Sequence, residues 1–499
     1  MSYESTINNI SVIRLFQSLH RFVRNLYFLT IALLFFNSIS ITFAQPQGQS
    51  NIKQKWVGTW STAPQLVETG NNPPSPGLSN NTIRQIVHVS IGGDSLRMRF
   101  TNELSKSTVK MNSVHIAVST WSGSIDTTTD KTIYFNGMTE ATMAPGAAIT
   151  SDPFQFSLQP LSNAAITIYF GETSPDISGH PGSRTTSYIL KGNEVTRADF
   201  LGAVTTDHWY IINTIDVLAP DSAYAVAILG NSITDGRGSG TNKQNRWPDE
   251  LARRLQANPV TQHVAVLNKG IGGNCVLGTC LGPSALSRFN RDVIEQSGVK
   301  WLIILEGIND IGGVYGTQGS AKVAQDLISA YGQMIDSAHA KGILVYGATM
   351  LPFGGSFYDS PDHQTAWKTV NDWIRNSGRF DAIIDLDKAL RNPADTLKLL
   401  PGADSGDHLH PSETGHHMMA EAVDLNLFLG NISSAVGEKS GNLPNTFSLV
   451  QNYPNPFNPN TLIGYQLPIT GQVQLKLYSL IGREVETIVN EYQQAGNYD

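Results

Sequence analysis

Two rhythms of apolar and polar positions divide the chain. From Lys55 to about Val217, apolar residues alternate with polar ones, the period of a half-buried strand. Val87, Val89 and Ile91 alternate with His88 and Ser90. Gly92-Gly93-Asp94-Ser95 has the composition of a turn, and Leu96, Met98 and Phe100 then alternate with other residues, arginines among them. This spacing predicts a β-hairpin. Val114, Ile116 and Val118 repeat the period, as do Ile166, Ile168 and Phe170. Turn-rich spacers separate the runs, so residues 51–217 read as an all-β sandwich or jelly-roll.

Beyond residue 219 the rhythm changes. Short apolar runs at 223–230, 263–267, 301–305, 343–348 and 382–384 alternate with stretches of helical period. Val323, Leu327, Ala330 and Met334 fall on one helical face. A last helix is predicted to open at His410-Pro411, because proline suits a first turn. It keeps Met418, Ala422 and Leu425 on one side and stops near Gly430. Strands alternating with helices predict βαβ units and a buried parallel sheet over residues 219–432. Residues 433–445 are small and polar, a linker. A proline-rich stretch from Asn452 to Pro459 then opens a small β module over residues 446–499. The chain is thus multidomain.

Composition adds the setting. Charged residues are 15% of the 499, below the roughly 25% of average proteins, as in many exported chains. The net charge of −7 offers no polybasic footprint, so no nucleic-acid partner is expected. Arg14, Arg21 and Arg24 precede an apolar run at 26–36, and Thr42-Phe43-Ala44 follows. That is the pattern of a signal peptide over residues 1–44. The run is short for a membrane helix, so no stable membrane span is expected after processing. The protein is expected to be secreted or held at the cell surface, by way of the periplasm.

Candidate chemistry begins at Ser232, two residues past the apolar run that ends at Gly230. Open α/β sheets place ligands at that edge. A serine hydroxyl needs a base to take its proton and a third group to orient the base. Asp407 and His410 have the spacing for the second and third roles, in a loop after the last strand–helix unit. Acyl transfer also needs donors aimed at one oxyanion. The Ser232 N–H, the glycine-rich loop at 268–274 and the Asn309 side chain can supply them. His408, His410, His416 and His417 crowd one loop and helix, but their spacing gives no closed zinc site. No metal and no cofactor is therefore expected. His416 and His417 are expected on a solvated helix face. Cys275 and Cys280 flank four residues beside the glycine-rich loop. They are open to a disulfide or to two buried thiols, and an exported setting favours the disulfide.

Four blocks together resemble the SGNH, or GDSL, family of serine esterases. They are Gly230-Asn231-Ser232, Gly273, Gly307-Ile308-Asn309-Asp310, and Asp407 to Pro411. The first block departs from the family's Gly-Asp-Ser, since Asn231 replaces an aspartate and removes a charge. The resemblance implies a three-layer α/β domain with a flavodoxin-like parallel sheet. It implies Ser232 as nucleophile, His410 as base and Asp407 as its orienting group. The Ser232 and Gly273 N–H groups and the Asn309 side chain would form the oxyanion hole. Trp56 to Trp60 is similar to the opening of secreted SGNH enzymes of plant-polysaccharide breakdown. The expected activity is therefore removal of acetyl or other short acyl esters from plant polysaccharides or oligosaccharides. The alternatives are a lipase or arylesterase on short-chain esters, and a surface carbohydrate-binding protein with an inactive esterase domain. Residues 451–459 and 480–485 resemble the C-terminal sorting module of type IX secretion substrates. That implies the type IX machinery as a partner. The family's final strands are missing, so the module is expected to be truncated. His180 to Arg184 and Trp247 are further candidates for the cleft wall, although loop and core packing are the plainer reading of both.

Overall fold

The computed structural model describes residues 53–429, 447–450, 452, 461–479, 483–493 and 496–498. The expected signal peptide, the linker and most of the proline-rich stretch lie outside the described residues. The chain divides into one compact unit that ends at Gly430 and another that starts at Asn431.

In the first unit the N-terminal strands are β1 (Gln54–Ser61), β2 (Asn81–His88), β3 (Gly93–Thr101), β4 (Val109–Trp121), β5 (Phe154–Leu158), β6 (Asn163–Thr173), β7 (Ser187–Lys191) and β8 (Ile212–Pro220). They pair antiparallel in two sheets, one with the order β1-β8-β3-β5 and one with β7-β2-β6-β4 at its centre. Their inward side chains share one core. Leu96, Met98, Phe100 and Val217 come from the first sheet, and Ile83, Val87, Ile116 and Ile166 from the second. The expected hairpin of β2 and β3 is not formed, because these strands lie in different sheets. Period-two patterning is the same for two strands that pair and for two that face each other across a core, which is why the pattern misleads here.

The same unit continues into β9 (Tyr224–Gly230), β10 (Val264–Gly270), β11 (Val299–Leu305), β12 (Leu344–Ala348) and β13 (Ala382–Ile384). These pair in parallel in the order β10-β9-β11-β12-β13. Successive residues of a strand point to opposite faces. Val226 and Ile228 accordingly join a core with Trp247, Leu251 and Leu255 of α1 (Trp247–Ala257). Ala227 and Leu229 join another with Leu327, Ala330 and Met334 of α2 (Gly316–His339) and with Val370 and Ile374 of α3 (Pro361–Asn376). Trp247 is thus a core residue, not a wall of the cleft. The order reverses between β9 and β11, and a crevice forms where such a sheet changes direction.

Two details differ from the expectation. β10 runs on to Gly270 because its ladder with β9 continues through Leu229–Lys269 and Gly230–Gly270. The last long helix, α4, spans Glu413–Glu421 and not the stretch from His410. Ser412 accepts from the Gly415 N–H and caps it, while Pro411 forms a β-bridge with Asp404. His410 therefore lies on a loop, outside the helix.

The β-rich region and the parallel sheet are not separate bodies. Ala225, Ala265 and Leu267 complete the β-rich core. The buried Lys269 ammonium donates to the Thr62 carbonyl at 3.2 Å, and the Ser90 hydroxyl accepts from the Val266 N–H at 3.1 Å.

The second unit contains antiparallel strands. Ser448–Leu449, Tyr465–Leu467 and Gly496–Tyr498 form one small sheet, and Gly471–Tyr478 pairs with Glu484–Gln493. The rings of Tyr465 and Tyr498 stack, with centroids 5.3 Å apart.

Candidate active site

Ser232 opens a single helical turn, Ser232–Asp235, directly after β9. Asn231 caps that turn by accepting from the Ile233 N–H at 3.1 Å. The turn holds the Ser232 hydroxyl at the carboxyl end of the sheet. His410 reaches the same place from the loop before α4. The two meet at 2.8 Å between Oγ and Nε2. The other ring nitrogen, Nδ1, is 2.7 Å from the Asp407 carboxylate. A carboxylate only accepts, so Nδ1 carries the proton and Nε2 presents its lone pair to the serine hydroxyl. Asp407 also accepts from the backbone N–H groups of Leu409 and His410, at 3.1 and 2.9 Å.

The electrostatics suit a base. Burial disfavours the imidazolium and lowers the His410 pKa, against the pull of Asp407, and Arg237 and Arg184 add to the lowering. Burial works against the Asp407 charge, but the His410 and Leu409 donors and the His410 ring outweigh it and bring its pKa to about 2. At neutral pH the pair is a carboxylate beside a neutral imidazole.

Gly273 and Asn309 line the same cavity, of about 450 Å³, as Ser232 and His410. Gly273 has φ +69, and a Cβ there would lie 2.7 Å from Leu281. Its N–H is thus carried by a bend that glycine alone fits easily. The Asn309 amide donates to the Asn274 carbonyl at 2.7 Å, and its oxygen accepts from the Tyr358 hydroxyl at 3.2 Å. This fixes which end of the amide is the donor. Cys275 and Cys280 are joined in a disulfide. Asp310 holds the same loop from inside, accepting from the N–H groups of Val276 and Leu277 at 2.8 and 3.0 Å.

Several contributors carry no motif. The Arg288 side chain is fully buried. It donates to the Lys269 and Gly230 carbonyls and to the Asn274 side chain, so one guanidinium ties the ends of β9 and β10 to the glycine-rich loop. Glu306 sits below Ser232 and accepts from Asn231 and from the Gly307 N–H. An acid directly after the apolar run at 301–305 was a visible signal for it. Tyr358, His208 and Arg237 gave none. The β-rich region supplies Gln65, Glu68, Asn71, Gly182, Arg184 and His208 to the cavity wall, so the His180–Arg184 stretch does reach the cleft. Its anchor is His180, whose ring nitrogens face the Ala63 carbonyl at 2.9 Å and the Asp235 carboxylate at 2.7 Å. His416, expected in solvent, is buried. It accepts from the Trp247 N–H and donates to the Arg237 carbonyl, and burial lowers its pKa to about 4. A neutral ring with one donor and one acceptor satisfies both of these groups.

Four loops that are distant in sequence therefore bring a serine, a glycine, an asparagine and a histidine to one cavity, with Asp407 behind the histidine. Residues 228–418 match the model of the GDSL-like Lipase/Acylhydrolase family. The parallel-sheet region thus carries a GDSL-like acylhydrolase domain. This domain is similar to an acetylxylan esterase from Geobacillus stearothermophilus, at 22% identity over 40% of this chain and 91% of that one, with a TM-score of 0.31. It is also similar to a GDSL-like lipase from Bacteroides thetaiotaomicron, at 20% identity over 40% of this chain and 84% of that one, with a TM-score of 0.28. A comparison with curated proteins finds no match.

Proposed function

We propose that the protein is a carboxylester hydrolase that works through Ser232, His410 and Asp407. The observation that carries this reading is the continuous chain of hydrogen bonds from the Ser232 hydroxyl through the His410 ring to Asp407. His410 Nε2 takes the proton as Ser232 Oγ attacks the ester carbonyl carbon. The oxyanion is met by the N–H groups of Ser232 and Gly273 and by the Asn309 amide. The carbon–oxygen bond to the alcohol then breaks, and the alcohol leaves with the proton from His410. Water attacks the acyl-enzyme, again giving its proton to His410, and the acid departs as Ser232 recovers its hydrogen.

The proposed substrate is an acylated carbohydrate with a short acyl group. Gln65, Glu68 and Asn71 give the wall hydrogen-bonding groups for sugar hydroxyls. Phe357, 73% exposed, offers a flat apolar face beside them. We further propose export, with residues 1–44 as signal peptide and residues 446–499 as a sorting module of the type IX kind. The deciding test is release of 4-nitrophenol from 4-nitrophenyl acetate. Ser232→Ala is expected to cut kcat by about three orders of magnitude or more. Equal slow rates in both proteins would leave a carbohydrate-binding protein as the better reading.

A further inference from the structure

Arg184 and Arg237 line the cavity beside His410, one from the β-rich region and one from the turn after Ser232. Among the described residues neither has a carboxylate within 4.0 Å, although other arginines and lysines there form ion pairs, such as Arg246 with Asp249 and Lys243 with Glu413. Nor, among the described residues, does either guanidinium take part in a hydrogen bond; Arg184 is half-buried and Arg237 exposed. The Arg184 Nε is buried and without a partner. The residue is held in a left-handed backbone conformation, φ 52, which a side chain other than glycine or asparagine adopts at a cost. His208 stands in the same wall. Its Nδ1 donates to the Pro181 carbonyl at 2.6 Å, which leaves the far ring nitrogen for the cavity.

The acids of the cavity are engaged elsewhere. Asp235 is taken by His180. Glu68 accepts from Gln65 and Asn71. Two cations beside a base that must gain a proton work against that base, and among the described residues only Asp407, already bound to the ring, is set against them. A guanidinium in a cleft with no internal partner is free to take a carboxylate, which its planar fork binds bidentately.

On the reading of the site as an esterase for acylated carbohydrate, we propose that its substrate bears a carboxylate on the sugar, an acylated acidic sugar, seated on Arg184 and Arg237 while the ester carbonyl meets Ser232. The hydroxyl-binding groups Gln65, Glu68 and Asn71 take the neutral part of the chain. Water-exposed charge pairs weaken with salt, so the preference is screened as ionic strength rises.

The test measures acetate released by the full chain from acetylated oligogalacturonides, before and after methyl esterification of their carboxylates. The wild type is expected to favour the free-acid form roughly tenfold in kcat/KM. That ratio is expected to fall toward one in Arg184→Gln, in Arg237→Gln, and in the wild type at high salt. Equal rates on both forms, with 4-nitrophenyl acetate still cleaved, overturn the acidic-sugar assignment and leave the esterase reading intact. A preference that survives both substitutions overturns the role of the two arginines. A preference seen only for mono-4-nitrophenyl succinate over 4-nitrophenyl butyrate puts the charge on the acyl side, and the assignment fails. No hydrolysis of any ester removes the esterase reading, and this inference with it.

Discussion

Asn231 donates its side-chain amide to a carboxylate oxygen of Glu306 at 3.2 Å, beneath the turn that carries Ser232. The amide oxygen faces the other way and accepts from Ile233. The network therefore fixes which end meets the acid. An aspartate at 231 would set two carboxyl groups against each other in a buried site, where like charges cannot both ionise cheaply. The asparagine and the buried glutamate are thus a matched donor and acceptor. Asn231→Asp is expected to lower kcat, and more so as pH rises from 5 to 8. The Asn231→Asp/Glu306→Gln double variant, which exchanges donor and acceptor, is expected to recover much of the loss. A double-mutant cycle on kcat should read a coupling of about 0.5–3 kcal/mol; additive losses would mean that the two residues act independently.

Glu306 also gives the fold a pH dependence. Burial, with a contribution from Asp310, raises its pKa from 4.5 to about 8 against the pull of Arg288. The folded chain then keeps a proton that the unfolded chain releases. This contribution to stability is fully present below about pH 4.5 and is lost as pH rises to about 8. Denaturant unfolding at pH 5 and pH 8 is expected to show Glu306→Gln losing less stability than the wild type over that interval.

The base should titrate low. His410 is pushed below its ordinary 6.5, mainly by burial, and in the proposed mechanism it acts in its neutral form. The profile of kcat/KM against pH is expected to rise with a midpoint below 6.5. Removing the charge by Arg237→Gln should move that midpoint upward. Asp407→Asn, which spoils the ring's tautomer, is expected to cost about 10²–10⁴ in kcat.

Asn309 can be tested as an oxyanion donor separately from binding. Asn309→Ala is expected to lower kcat by about 10²–10³ with little change in KM. A matching rise in KM with unchanged kcat would place its role in ground-state binding instead.

The disulfide closes a short loop beside Gly273. Thiol titration of the denatured, non-reduced protein is expected to find no free thiol. Cys275→Ser/Cys280→Ser is expected to lose about 2 kcal/mol of stability, the chain-entropy value for so small a ring. Much of the loop's shape should persist, since Asp310 still holds Val276 and Leu277.

Much of this was legible because it is local. Each strand of the parallel sheet is an apolar run, and α2 carries its buried face at helical spacing. Ser232, Asn309 and His410 sit at strand ends and in one loop, where short motifs show. The pairing of β2 was not legible, since alternation reports which residues point inward and not which strand lies alongside. The start of α4 was misplaced because Pro411 fits a first helical turn and equally an extended stretch, and the Ser412 cap decided between them. The environment of His416 depends on Trp247 and Arg237, far away in sequence, and no local signal encodes that. His208 and Tyr358 entered the site for the same reason, through chain folding that brings unmarked loops together.

Gly182 approaches Asp235 so closely that a Cβ would fall 1.8 Å from its carboxylate oxygen. That contact, with the His180 pair beside it, means the cleft has two owners. A catalytic piece cut free at Tyr224 would keep its serine and histidine and lose one bank of its groove, along with the residues that cover Leu267. The N-terminal region is therefore no detachable accessory that could be shuffled onto another enzyme. The two parts would have to be inherited together, and a change on either bank would be answered on the other.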